Sequence, residues 1–295
     1  MMKKYLKYFS LLLVVALVVT GCGNKKTENK DTINSESNVS LEEAIKNTFT
    51  EKSFKISSKT EFELSAEGVG AQAMNANASV ELNGEIDKNN NMHAKISMKM
   101  TSNGETDTED GEVYLDVNDK KQYANNAGEW YYESLDEENI DMLNKINPEQ
   151  VTKYIKESKK VDTDKEGYDK YEVSFDVLKA LEEVAGDEIA EIKDAIEVPD
   201  LKINMYVKGK YVAFVTYDLG DQLKGILNNI ITLMYTTNGG NGSTNVPKIN
   251  LVLKGSIEIT DVGNVEVKVP DEVKNNAKED VVYNNNQVAE VKTQR

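Results

Sequence analysis

The chain has 295 residues, a formal net charge of −16 and one cysteine. A single cysteine excludes an internal disulfide and any multi-cysteine metal centre. An acidic chain whose only arginine is Arg295 repels nucleic acid and anionic headgroups and lacks a guanidinium fork for phosphate.

In chain order, Lys3, Lys4 and Lys7 form a charged start and Leu11 to Val19 an almost unbroken apolar run. The run is shorter than the about 20 apolar residues a spanning helix needs, which favours a cleaved leader. The small residues Thr20 and Gly21 precede Cys22, and Val19-Thr20-Gly21-Cys22 resembles the lipobox of bacterial lipoprotein signal peptides. That resemblance implies a signal peptide over 1–21 and lipidation (diacylglyceryl, palmitate-type) of Cys22. It also implies a domain held by that lipid on the extracytoplasmic face of the cell membrane. Two or three acyl chains give stable anchoring where one is marginal.

Residues 22–40 are polar and without apolar periodicity, the composition of a flexible tether. Ser40 and Glu43 have capping-box spacing, and Leu41, Ala44, Ile45 and Phe49 form the stripe of a helix over 41–49. From Phe54 a period-2 pattern begins. Phe54, Ile56, Phe62 and Leu64 fall on one face, and Lys55, Lys59, Glu61 and Glu63 on the other. After a small-residue loop (68–78), Val80, Leu82 and Ile86 continue the alternation. A hairpin signal at 87–91 returns through Met92, Ala94, Ile96, Met98 and Met100. An acidic turn containing Asp107, Glu109, Asp110 and Glu112 leads to Val113, Leu115 and Val117. Short strands follow at Gln122–Ala124 and Trp130–Glu133.

Helical spacing appears over 135–146. Pro148 opens a second helix carrying Val151, Tyr154 and Ile155. A hairpin around 162–169 returns through Tyr171, Val173 and Phe175. Residues 177–196 and 219–235 read as helices, on either side of a hairpin with Leu201, Ile203, Met205 and Val207 in its first strand. The last long strand carries Ile249, Leu251, Leu253, Gly255, Ile257 and Ile259 on one face. Val265, Val267 and Val269 form a further short strand, and a polar tail occupies 276–295.

No fixed-period repeat and no internal linker divides residues 41–275, so they form a single domain. Hairpin connections make the sheet antiparallel, and an apolar face alternating with a charged one means one side is covered and the other wet. Strands such as 54–66 reach about 40 Å at 3.3 Å per residue, and a sheet of about ten of them must twist and curl. The expected class is α+β: a large curved antiparallel half-barrel, its concave apolar face covered by helices over 41–49, 135–157, 177–196 and 219–235.

This architecture behind a lipobox resembles the LolA/LppX-type (LppX/LprG-like) lipoproteins. Similar local features are Gly128-Glu129-Trp130-Tyr131, Asp164-Lys165-Glu166-Gly167-Tyr168 leading into Tyr171-Glu172-Val173, and Val267-Lys268-Val269-Pro270. The resemblance implies a cavity between sheet and helices that shields acyl chains, lined here by Phe54, Ile56, Phe62, Leu64, Leu82, Ile96, Met98, Met100, Met205, Leu251 and Leu253. Methionines suit such a wall because they repack around varied shapes.

Catalytic signals are weak. His93 is the only histidine; its parity places it on the polar face in solvent, away from any triad. Asp162, Asp164, Glu166 and Gly167 open like a calcium loop, but the twelfth position is Val173 rather than Glu. Trp130-Tyr131-Tyr132 reads as cross-strand packing. No nucleophile elbow, phosphate loop or zinc motif is present. The reading is therefore a non-enzymatic, membrane-anchored lipoprotein without cofactor or metal that binds a lipid or other hydrophobic ligand. The alternative is a non-catalytic cell-envelope interaction protein with a closed core, its protein partner unknown.

Overall fold

The computed structural model describes residues 39–67, 74–102, 104–135, 152–176, 199–225, 228 and 248–279. Helix α1 (Leu41–Thr50) leads into strands β1 (Phe54–Glu67), β2 (Met74–Ile86), β3 (Met92–Ser102), β4 (Glu105–Asp116), β5 (Lys121–Asn126) and β6 (Glu129–Ser134). Strands β7 (Ile155–Val161), β8 (Asp169–Phe175), β9 (Leu201–Lys208), β10 (Tyr211–Asp218) and β11 (Lys248–Thr260) follow, then helix α2 (Asp271–Asn276) and the two-residue β12 (Lys278–Glu279). All twelve strands form one sheet in the order β12-β6-β5-β4-β3-β2-β1-β11-β10-β9-β8-β7. Every pairing is antiparallel except β12 on β6. The protein is thus the expected α+β class built on a large curved antiparallel sheet, with twelve strands where the sequence suggests about ten.

Long and short strands are mixed. The centre consists of β1, β2, β3, β4 and β11, with 11 to 14 residues each. Both wings use strands of 6 to 8 residues, β12 aside. β5 reaches β4 only over Glu112–Asp116, and β10 reaches β11 only over Lys254–Glu258. The central strands therefore project beyond their neighbours.

At the end where β1 begins, α1 closes the apolar face. Ser40 caps it, its Oγ accepting the Glu43 N–H at 3.2 Å. Leu41, Ala44, Ile45 and Phe49 pack with Phe54, Val173, Ile203, Met205, Val215 and Ile257 in the main core. Thr48 is buried with them: its hydroxyl donates to Ala44 O (2.7 Å) and accepts the Val212 N–H (2.9 Å), next to a bulge in β10.

A second core lies on the opposite face at the other wing. The C-terminal segment crosses the end of the sheet to reach it. Ser53 receives it first: Gly263 N–H donates to Ser53 O (2.7 Å), and the Ser53 hydroxyl exchanges hydrogen bonds with Val265 N–H (2.8 Å) and Val265 O (3.0 Å). Asp87 receives it next. This buried carboxylate accepts Asn89 N–H (2.8 Å), Asn91 N–H (3.0 Å), the Asn91 amide (3.0 Å) and Val267 N–H (3.4 Å). Asn91 Oδ1 in turn accepts Val117 N–H at 3.0 Å, joining two turns and the crossing segment. Helix α2 then seats Val273 against Tyr114 and Tyr123, with Val269, Trp130 and Tyr132 around it. Lys274 fixes the helix through Asp116 (2.7 Å) and Asp119 (2.6 Å), and these bonds hold its ammonium pKa above the usual lysine value.

Several elements differ from the sequence expectation. Residues 155–157, expected as the end of a helix, belong to β7, because pairing with β8 outweighs a weak helical stripe. Asp107, Glu109, Asp110 and Glu112, expected in an acidic turn, lie inside β4, in register with β3. Asn75 to Ala78, expected in a loop, are in β2. Val265, Val267 and Val269 form the crossing segment rather than a strand. Lys278 and Glu279, placed by the sequence reading in the polar tail, pair with Tyr131 and Tyr132. Residues 220–225 are helical as expected. The expected helices over 136–151 and 177–196, residues 226–227 and 229–235, the leader with Cys22, the tether before Val39 and the tail beyond Glu279 lie outside the described residues.

Two packing sites give direct tests. Asp87→Ala removes one acceptor from several buried donors and is expected to cost about 3 kcal/mol; a lowered urea midpoint with unchanged slope is the readout. Gly255 lies beneath Tyr217, whose hydroxyl reaches Thr60 Oγ1 at 2.6 Å; a Cβ at Gly255 would press on Lys59 O and the Tyr217 ring. Gly255→Ala is expected to lose about 1–3 kcal/mol by overpacking, read in the same titration.

Candidate ligand-binding face

In the antiparallel register, residues opposite each other share a face. Rows of side chains can therefore be followed across five strands. Ile259, Ile56, Gly84, Ala94 and Val113 form one row. Ile257, Ser58, Leu82, Ile96 and Gly111 form the next, then Gly255, Thr60, Val80, Met98 and Glu109. Leu253, Phe62, Ala78, Met100 and Asp107 follow, and then Leu251, Leu64, Ala76, Ser102 and Glu105.

Burial falls along this face. Near α1 it is dry: Phe54, Met92, Ala94, Leu115, Ile257 and Ile259 are all buried. Further along, Phe62, Leu64, Val80, Leu82, Ile96, Met98 and Leu253 are only half-buried, and Met100 is 47% exposed. Small residues keep the surface low here. A Cβ at Gly111 would meet nothing within 4 Å, so there is open space above the β4 edge of the face.

The predicted lining residues divide accordingly. Ile56, Phe62, Leu64, Leu82, Ile96, Met98, Met100, Leu251 and Leu253 share the apolar face of four adjacent strands. Ile56 packs at the margin of the main core, and Leu251 is buried. Its carbonyl lies beneath Gly220, where a Cβ would come within 2.6 Å of Leu251 O. Phe54 and Met205 share this face but lie in its dry end, within the main core. Phe54 makes an edge contact with Phe49 of α1 at 5.8 Å, and Met205 is fully buried in the main core, so neither lines an open surface.

Lysine is segregated from this face, and the charged pairs of the central strands lie on the other. Lys55 pairs with Glu85 and Asp261, Lys59 with Glu81, Lys254 with Glu61 and Lys95 with Glu112, all on the opposite side. Such exposed pairs each contribute little, but they keep that side wet. His93 departs from its expected solvent exposure. It stacks on Tyr114 at 4.3 Å, and its Nε2 lies 2.8 Å from Glu112 Oε1, with Glu85 at 4.0 Å from Nδ1. Sequence parity gives the side of the strand but not the Tyr114 ring beside it. Burial pushes the Glu112 carboxyl up, yet the His93 hydrogen bond and the Lys95 charge outweigh it and hold its pKa below the usual range.

A polar recess of about 850 Å³ lies at the sheet end, beside the crossing segment. Several of its charged groups are already engaged: Asp87 holds backbone donors, and Lys274 is paired to Asp116 and Asp119. Among the described residues no cluster of three or more His, Cys, Asp or Glu side chains is placed to hold a metal. The calcium-like residues sit in the β7–β8 hairpin, where Asp164 accepts the Tyr206 hydroxyl (3.0 Å) and pairs with Lys170 (3.5 Å). Trp130 and Tyr132 pack against Tyr114 and Tyr123 at 5.6 and 6.2 Å, as the cross-strand reading expects.

No protein-family model matches the chain, and no curated protein matches it. Among solved structures, the chain is similar to the crystal structure of LprF from Mycobacterium bovis. The two share 10% identity with a TM-score of 0.38, over 78% of this chain and 95% of that one.

The depressed Glu112 pKa has a pH consequence. A carboxyl with a lowered folded-state pKa adds stability above the ordinary carboxylate value of about 4.3, and that stability is lost as pH falls through the folded value. Glu112→Gln is therefore expected to lower stability at pH 7 and flatten its decline below pH 5. Urea unfolding across pH 3–7 measures both.

Proposed function

We propose that this chain is a membrane-anchored, extracytoplasmic lipoprotein, attached through lipid on Cys22, that holds a lipid or other hydrophobic ligand on the half-open end of its apolar sheet face. The observation that carries this reading is the burial gradient: one continuous apolar face is dry under α1 and ends with Met100 47% exposed. Exposed apolar surface of this kind marks a binding site more often than a scattered single residue does. The chemistry asked of the face is simple. About 0.8 kcal/mol per buried methylene gives a chain with about ten buried methylenes about 8 kcal/mol, on the scale of a micromolar dissociation constant. Methionines at positions 98 and 100 permit repacking around chains of different shape. Nothing in this reading calls for catalysis or a cofactor.

The test uses the mature chain from residue 22, with Cys22→Ser to prevent acylation, in native mass spectrometry followed by organic extraction. A copurifying lipid or an acquired fatty acid or phospholipid is expected, and Met98→Trp or Leu253→Trp, which fill the face, should displace it. A mass without ligand that stays unchanged after lipid is offered would overturn the reading and favour the interaction-protein alternative.

A further inference from the structure

The rows of the apolar face do not end on apolar residues. On β4, Asp107 lies opposite Met100, Glu109 opposite Met98 and Glu105 opposite Ser102, so these carboxylates share the face with the methionines. Among the described residues no strand pairs with this part of β4 on its far side from β3, because β5 begins its pairing at Glu112. The carboxylates thus form an exposed rim along one border of the apolar surface. Glu109 has a partner of its own; Glu105 and Asp107 carry the argument.

The rim is not matched by lysine. On β1, β2, β3 and β11 every lysine, including Lys59, Lys95, Lys99 and Lys254, has the parity of the opposite face. Among the described residues of these five strands, the apolar face therefore combines hydrocarbon surface with negative charge alone. An anionic amphiphile laid across it would place its head against Asp107; a cationic one would be attracted there.

Building on the ligand-binding reading above, we propose that the occupant of this face is an amphiphile with a positively charged head group. Its chain lies over Phe62, Val80, Met98 and Met100, and its head extends past β4 beside Asp107 and Glu105. A unit charge about 5 Å from each of two carboxylates, in water-like surroundings, gives a preference on the order of tenfold or more over the anionic counterpart, and added salt screens it.

The experiment is calorimetric titration of the mature Cys22→Ser chain with dodecyltrimethylammonium and with dodecyl sulfate, both below micelle formation, at low ionic strength and again in 0.5 M sodium chloride. Tighter binding of the cation by tenfold or more, reduced to near parity by salt and by Glu105→Gln with Asp107→Asn, is the expected result. A preference that survives those two substitutions would assign it to the net charge of the whole chain and overturn the proposal. Equal binding of both probes, weakened for both by Met98→Trp, would overturn the head-group assignment while leaving the apolar site intact. The rim would then be the inward-pointing charge that protects a sheet edge from pairing. Binding of neither probe would overturn this proposal and the ligand-binding reading together.

Discussion

The unshifted antiparallel register running from β11 through β1 and β2 to β3 and β4 is the constraint on which the rest of the structure depends. With a side-chain period of two, a slip of one residue would carry Phe62, Leu82 and Met98 to the wet side and bring Lys59, Glu81 and Lys99 onto the core. Every row of the apolar face therefore requires the register of its neighbours. The irregular pairings are confined to β9–β10 and β7–β8, away from those rows.

Unequal strand length turns this register into a shape with two kinds of surface. Where short and long strands overlap, α1 and the β7–β10 wing bury the apolar face and a packed core results. Where β1, β2, β3, β4 and β11 extend past their neighbours, the same face continues half-buried among the described residues, and Met100 is exposed. Apolar surface half in contact with water is unfavourable by tens of calories per mole per Å², so an occupant that removes it from water gains free energy directly. Among the described residues, half-exposed apolar surface thus lies at one end of the sheet and the packed core at the other.

The crossing C-terminal segment explains how a sheet this wide holds both faces. It leaves β11 on the α1 side, passes Ser53 and Asp87, and delivers Val269 and Val273 to the aromatic cluster of Tyr114, Tyr123 and Trp130 on the reverse side. Asp87 is effective because a buried carboxylate accepts several hydrogen bonds at once, here from its own turn and from a backbone 180 residues away. His93 belongs to this same region through its stack on Tyr114. The only histidine is therefore engaged in joining β3 and β4.

By itself the sequence determined whatever depends on neighbours along the chain. Alternation at i and i+2 assigned Phe62, Leu82, Met98 and Leu253 to one face and the lysines to the other, and Ser40 with Glu43 set the start of α1. Tertiary structure alone decided how burial falls along that face among the described residues, because burial depends on where β5 and β10 stop relative to their longer partners. It also decided that Phe54 and Met205 are core, since both belong to the cluster that α1 closes. It made Asp107 and Glu109 strand residues, since pairing with Met100 and Met98 outweighs the turn propensity of an acidic run. It moved residues 155–157 from helix to strand by the same competition. The physical reason is common to all of these: periodicity is a local property of the backbone, whereas burial and pairing are settled by segments far apart in the chain.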